Sequence, residues 1–366
     1  MTARQHDSTT AAKGGQTFRL RSNATKPRTR SVGALKLCNL CPRLCNADRS
    51  VTTGWCRMDD RIHVSSIVLH RGEEPPLSGE KGIVNVFFPS CNMHCIYCQN
   101  WEISCRGTQG TVMSLDEVCD AIAALLPLSE NNLGFVSPTH FVVQMVSIVE
   151  ELRRRGLSPT IVYNTNGYEL PDTIRSLKGI VDVWLPDFKY SDDDLAEALS
   201  EAPDYSRYAL ASLKEMVHQV GTTLHTDDRG IARRGIIIRH LVLPGFTDNS
   251  LGVLQLIAEH LSPNLHLSVM SQYYPPDNLA FTYTGTGKEE KNRRSHNANL
   301  NLLRSCRINP VHEMSGRTSL HRPVTRKEYE AVIDAFHSLG FTRGWLQDSA
   351  SHKNYRPDFS REHPFE

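Results

Sequence analysis

Ile83-Val-Asn-Val-Phe-Phe88-Pro-Ser-Cys91-Asn-Met-His-Cys95-Ile-Tyr-Cys98 is the stretch on which this chain is read. Its first six residues are β-branched or aromatic but for Asn85, which predicts a strand. Three cysteines follow at once, spaced C-x₃-C-x₂-C. Three thiolates on one tight loop can hold three irons of a cubane, and they leave the fourth iron open, unlike a four-cysteine ferredoxin set. An open metal coordinate at the end of a strand is a reaction site, by the logic that separates catalytic from structural zinc. The alternatives are a zinc site that borrows His94 and a set of reduced core thiols.

Outward from this strand the pattern alternates. Ser114-Leu-Asp-Glu117 is a capping box that opens a helix. Strands are predicted at 132–136, 160–163, 181–185, 236–243 and 265–273. Helices are predicted at 141–155, 192–201, 206–219 and 251–260. A second capping box, Thr325-Arg-Lys-Glu328, opens a last helix to about Leu339. Strands that alternate with helices predict a parallel sheet with right-handed crossovers. The fold class is therefore α/β, a partial (β/α)₆ barrel of the TIM type with a small N-terminal cysteine-rich module. In such a fold the functional residues follow the C-terminal ends of the strands.

The chain divides into a basic tail (1–36), the cysteine-rich module and a connector (37–80), the core (81–282), a polar insertion (283–318), and a C-terminal helix and tail (319–366). The first 36 residues carry eight Lys/Arg against one acid, Asp7, and read as a solvated tail. The same composition suits a mitochondrial transit peptide, so the expected compartment is the cytoplasm, with the mitochondrion as the alternative. Lys plus Arg is 41 against Asp plus Glu 40, which argues against a general nucleic-acid or anionic-membrane binder. No apolar run approaches the roughly 18 residues of a membrane span.

Of the ten cysteines, seven fall in two tight groups. The second group is Cys38, Cys41, Cys45 and Cys56, whose four thiolates saturate either a tetrahedral zinc or a second iron–sulfur cluster. His63 or His70 is an alternative to one of the thiols. A module this short holds no core of its own, and a bound metal would supply the missing stability. Cys119 reads as core, Cys105 as a packed thiol and Cys306 as a free loop thiol.

The cysteine loop, with an aromatic before its third cysteine, resembles the radical S-adenosylmethionine (SAM) superfamily. Within it the chain is most similar to pyruvate formate-lyase activating enzyme-like proteins of the PflX type. The residues that carry this are Cys38-Asn-Leu-Cys41-Pro-Arg-Leu-Cys45, Gly72-Glu-Glu-Pro75, Phe88–Asn100, Ser137-Pro-Thr-His140, Tyr163-Asn-Thr-Asn-Gly-Tyr168, Leu185-Pro-Asp-Phe-Lys-Tyr190, Arg239–Pro244 and Met270-Ser-Gln-Tyr273. The resemblance implies a [4Fe–4S] cluster on Cys91, Cys95 and Cys98. It implies SAM chelated at the open iron, reductive cleavage of SAM, and hydrogen abstraction by a 5′-deoxyadenosyl radical. It also implies a flavodoxin- or ferredoxin-type electron donor, and a glycine of a glycyl radical enzyme as one candidate substrate, with a small molecule or another peptide as the alternative; the reading from another class is a non-catalytic iron–sulfur redox or scaffold protein. Tyr97 is expected to flank the adenine. Asn164 and Thr165 end the third strand on the SAM side. Asp187 and Lys189, two apart on a strand, are expected to meet the ammonium and carboxylate of SAM. No Gly-Gly-Glu motif follows the second strand, where related activating enzymes carry one, and Gln272 and Tyr273 are candidates to close the site.

Overall fold

A computed structural model describes residues 35–105, 107–276, 317–347 and 359. The expected basic tail and polar insertion, with Cys306, fall almost wholly outside them.

Strands β1 (Ile62–Val64) and β2 (Ser66–His70) precede helix α1 (Pro75–Ser78) and strand β3 (Ile83–Phe87). Helix α2 (Trp101–Ser104), strand β4 (Thr111–Met113) and helix α3 (Leu115–Leu125) come next. Strand and helix then alternate: β5 (Asn132–Val136), α4 (Val142–Arg154), β6 (Thr160–Thr165), α5 (Pro171–Ser176) and β7 (Val183–Pro186). The order continues through α6 (Asp193–Ser200), α7 (Tyr205–Val220), β8 (His225–Thr226), β9 (Ala232–Leu241), α8 (Thr247–His260), β10 (His266–Met270), α9 (Arg326–Ser338) and β11 (Gly344–Leu346).

The main sheet runs β2-β3-β5-β6-β7-β9-β10-β11. All neighbours along this path are parallel except β2, which pairs antiparallel with β3 at one edge; the short β8 joins off the path, antiparallel to β9. This is an α/β fold with a mostly parallel sheet, as the sequence pattern predicts. The expected six parallel strands become seven, because β11 joins β10 through Leu267↔Gly344. Strands β3, β5, β6 and β7 are buried at every position, as strands are when both faces are covered. Both predicted capping boxes form, at Ser114/Glu117 and Thr325/Glu328.

Alternation along β9 separates two apolar layers. Ile236 and Ile238 face the outer layer, with the helices. Ile237 faces inward, with Ile83, Val162, Val183 and Leu185. Leu77 of α1 belongs to this inner layer and is fully buried, so the α1 turn plugs the concave side of the sheet. The residues just before that plug, Glu73 and Glu74, therefore line the floor of whatever cavity the sheet encloses. Gly134 makes room beside them: a side chain there would overlap Asn85 Oδ1, and Asn85 Nδ2 donates to Glu73 (3.0 Å).

The N-terminal module is sewn onto the core by buried polar contacts. The Arg49 side chain is fully buried and donates to the backbone carbonyls of Met58, Asp59 and His140. Thr173 Oγ1 donates to the Leu40 carbonyl (2.7 Å), and Ser90 Oγ to that of Cys56 (2.6 Å). Leu40 and Met58 join the outer apolar layer of the core. No described helix is long and apolar enough to cross a membrane.

Candidate active site

A cavity of about 450 Å³ opens on the concave side of the sheet, and Cys91, Cys95 and Cys98 all line it. Their loop leaves β3 through Ser90, whose φ of 66° is left-handed. It is then fastened from both sides. His94 N–H and Ile96 N–H donate to the carbonyls of Ser200 and Leu199 at the end of α6 (3.0 and 2.9 Å). Arg43 Nε donates to the Asn92 carbonyl (2.9 Å) while its guanidinium stacks over Trp55 at 3.7 Å.

Each sulfur in the loop has a polar neighbour. Cys91 Sγ accepts from Asn166 Nδ2 (3.2 Å) and from Met93 N–H (3.4 Å). Cys95 Sγ accepts from Ser200 Oγ (2.9 Å), and Cys98 Sγ lies 3.0 Å from Ser104 Oγ. Burial pushes the Cys91 thiol up to about 11 and the Cys95 thiol up to about 12, and raises Cys98 as well. The Lys189 ammonium pulls all three the other way. A metal that replaces the protons removes this burial cost, since the thiolate is the ligand form. The set therefore fits an iron–sulfur cluster: three thiolates face one cavity, hydrogen bonds reach their sulfurs, and a cation stands nearby. His94 does not line the cavity with the three cysteines, and its Nδ1 lies 3.0 Å from Glu201 Oε1.

Opposite the cysteines lies a chain of charges. Lys189 Nζ meets Asp187 Oδ2 at 2.6 Å. Asp187 Oδ1 accepts from Arg239 Nε (2.9 Å). Arg239 also reaches Glu73 Oε2 (3.1 Å) and Asn164 Oδ1 (2.7 Å). Burial raises Asp187, but Lys189 and Arg239 together hold it below the usual carboxylate range. Asp187 in turn raises Lys189 against its burial. Glu74 lacks such help: burial dominates and raises it, despite Arg239.

Most of the expected SAM-side residues meet in this cavity: Tyr97, Asn164, Asp187 and Lys189 line it with the three cysteines. Tyr97 is buried, and its hydroxyl accepts from Tyr190 (2.6 Å). Thr165 is a correction. Strand alternation turns it to the other face, where Thr165 Oγ1 donates to Glu169 Oε1 (2.6 Å) along with Thr139 and Tyr163. Burial raises Glu169 to about 7. Asn166, two residues after Asn164, is the one that returns to the cavity and to Cys91. Gln272 lines the cavity, whereas Tyr273 is buried and donates to the Leu320 carbonyl (2.6 Å). His240 is a satisfied core histidine between the Phe188 carbonyl and Ser250 Oγ.

In the N-terminal group, Cys38, Cys41 and Cys56 are buried and Cys45 is half-buried. Cys45 Sγ accepts from Trp55 N–H (3.1 Å). A side chain at Gly54 would rest against the sulfurs of Cys45 and Cys56. Burial raises Cys41 strongly and raises Cys56 as well. His63 is not an alternative ligand, since its ring nitrogens meet Gln109 O (2.8 Å) and Asp59 Oδ1 (2.7 Å). His70 lies instead in the large cavity. Among the described residues no three His, Cys, Asp or Glu side chains are drawn in around one ion position. Cys105 is disulfide-bonded, not the free packed thiol expected from its spacing.

The family model of the radical SAM superfamily matches residues 85–257. An uncharacterized protein of Methanocaldococcus jannaschii is 28% identical over 284 residues, 72% of this chain and 76% of the relative. A lipoyl synthase of Parabacteroides distasonis is 23% identical over 148 residues, 36% of this chain and 53% of that enzyme. Among solved structures, anSMEcpe with bound AdoMet aligns with a TM-score of 0.40 and 12% identity, over 69% of this chain and 59% of that one. A spore photoproduct lyase variant aligns at 0.39 and 9%, over 69% and 71%. At these scores the alignments carry no residue correspondence.

Proposed function

We propose, from the premise that this chain is a radical SAM enzyme, that it abstracts hydrogen from a small polar substrate held inside the sheet, beneath the cluster loop. Cys91, Cys95 and Cys98 would hold a [4Fe–4S] cluster, which would supply the electron for reductive cleavage of the S–C5′ bond of SAM and so the 5′-deoxyadenosyl radical. The chain's own part is to bind, to orient and to exclude water. A low-potential one-electron donor of the flavodoxin or ferredoxin type completes the reaction.

One observation carries the reading: a single cavity is lined both by the three cysteines and by the part-buried Glu73–Arg239–Asp187 network. Lys189 gives one of its three N–H donors to Asp187 and has others to offer an anionic group. Asp187 has both oxygens engaged, by Lys189 and Arg239, so its part is to hold Lys189 in place. This revises the expectation that the two residues grip SAM as equals. Lys189→Ala is accordingly expected to weaken SAM binding about ten- to hundredfold, the loss of one hydrogen bond to a charged group. Equilibrium binding to the reconstituted enzyme measures it, and an unchanged affinity would make the Asp187–Lys189 pair purely structural.

The activating-enzyme resemblance offers a second reading, a glycine Cα–H on a partner glycyl radical enzyme. A glycine loop brings no charge to the buried network at the floor, which is why the small polar substrate is preferred. The two are separated by feeding the reduced enzyme and SAM either a recombinant glycyl radical enzyme or a dialysable metabolite fraction. The preferred reading predicts that 5′-deoxyadenosine release rises with the metabolites. A persistent glycyl doublet in the other arm would overturn it.

Cys38, Cys41, Cys45 and Cys56 are proposed to hold a second metal, zinc or an iron–sulfur cluster, that stiffens the clamp on the first. Arg43 lies within electrostatic reach of both Cys41 and Cys91, and its Nε holds the cluster-loop carbonyl of Asn92. A variant with Cys91, Cys95 and Cys98 all replaced by Ala is expected to retain zinc or iron in stoichiometric amount and to melt lower after chelation. Metal analysis that finds neither would remove the second site.

A further inference from the structure

Three carboxyls line the cavity among the described residues: Glu73, Glu74 and Asp187. Two are fully engaged. Asp187 is held by Lys189 and Arg239, and Glu73 by Asn85 and Arg239. Glu74 is different. It is only 9% exposed, and its Oε2 is buried without a hydrogen-bond partner. Ser268 of β10 hydrogen-bonds the same carboxyl. Its place is fixed from behind, since Pro75 starts the α1 plug and Leu77 anchors that plug in the inner apolar layer. A buried, unpartnered carboxyl oxygen costs free energy unless something supplies a donor.

Charge says which donor. The cavity holds two permanent cations, Lys189 and Arg239, against three carboxyls. Arg239 is shared among Asp187, Glu73 and Glu74, and Lys189 is paired with Asp187 and lies within electrostatic reach of Cys95. His70, which also lines the floor, is driven toward its neutral form by burial. Burial favours a proton on Glu74 in the empty pocket; once Glu74 ionises, the carboxyls outnumber the two cations by one, the cysteines left aside. A cation with N–H donors removes the excess and satisfies Oε2 together. A neutral hydroxyl does only the second, and an anion does neither.

We propose that the inner end of this cavity, at Glu74, receives a protonated amino group of the substrate. The inference rests on the radical SAM reading for its substrate, and it fixes the class: a small primary amine whose carbon skeleton runs from Glu74 toward the cysteines. The reacting C–H then lies at the end of the molecule away from the amine.

Three probes of equal length isolate the head group: butylamine, butanol and butyrate. Each is titrated, by thermal shift and equilibrium dialysis, into the anaerobically reconstituted holoenzyme saturated with SAM. The wild-type protein is expected to prefer butylamine over the other two by at least about tenfold, the effect of one charge-assisted hydrogen bond. Glu74→Gln is expected to lose that preference and Glu74→Asp to keep part of it. Equal binding of the three probes, or an amine preference that survives in Glu74→Gln, would overturn the proposal. So would amine binding seen only without SAM, since the floor would then belong to SAM itself. Reductive SAM cleavage by the wild-type protein is followed in the same samples. Its absence would count against the cluster chemistry, and loss of the amine preference against Glu74.

Discussion

Replacement of any one of Cys91, Cys95 or Cys98 by Ala is expected to abolish reductive SAM cleavage, a loss of more than about three orders of magnitude, or about 4 kcal/mol of transition-state stabilisation. The reason is the count of ligands. All three cysteines line one cavity, and His94, the alternative ligand in the loop, is not among the residues that line it. A loop with two thiolates does not hold a cubane, and nothing in the surrounding shell replaces the third. Asn166 and Ser200, which donate to Cys91 and Cys95, and Ser104, beside Cys98, supply no soft ligand in place of a lost sulfur. The loop itself should survive, because its backbone is tied to α6 through His94 and Ile96 and to the N-terminal module through Arg43. Circular dichroism and iron content separate the two effects: near-normal secondary structure with the cluster iron lost is the expected pattern. Retention of SAM cleavage by Cys95→Ala would show that these thiols are not the ligands.

The second large effect concerns stability. Arg239→Met removes the cation shared by Asp187, Glu73 and Asn164, whose side chains lie deep in the cavity wall. An uncompensated buried charge of this kind costs about 3–5 kcal/mol. Asp187 keeps Lys189, so the carboxyls left exposed to that cost are Glu73, which is paired directly with Arg239, and Glu74, which feels its charge. Arg239→Met combined with Glu73→Gln should therefore recover part of the loss, since it removes the directly paired carboxyl along with its cation. The shift in urea midpoint for both variants, on reconstituted protein, reads this directly. A single variant that unfolds within about 1 kcal/mol of the wild type would mean that solvent already screens the network.

The fold was legible wherever periodicity was long. Strands β3, β5, β6, β7, β9 and β10 and the longer helices between them follow from apolar runs and capping residues, whereas the short β4, β8, α2 and α5 carry too few residues to show a period. The seventh parallel strand was not, because Gly344–Leu346 is three residues long and follows a glycine turn at the end of α9. Its place in the sheet depends on pairing with Leu267, a contact that local pattern does not carry. The cysteine loop announced the site by its spacing alone. Side-chain parity could have improved the rest. Asn164 and Asn166 share a face and Thr165 does not, so the strand register already argued for Asn166 over Thr165. Glu73 and Glu74 stood in the Gly72-Glu-Glu-Pro75 segment without a role. Glu73 acquires one only when folding brings it to Arg239, 166 residues away. Such a long-range charge pair leaves no local signature.

Anaerobic reconstitution with iron and sulfide, chemical reduction and chromatographic measurement of SAM products tests the central claim most directly. The account predicts equal amounts of 5′-deoxyadenosine and methionine from the wild-type protein, and neither from the variant without Cys91, Cys95 and Cys98. A wild-type protein that takes up about four irons on these cysteines, binds SAM and still leaves it intact would contradict the account.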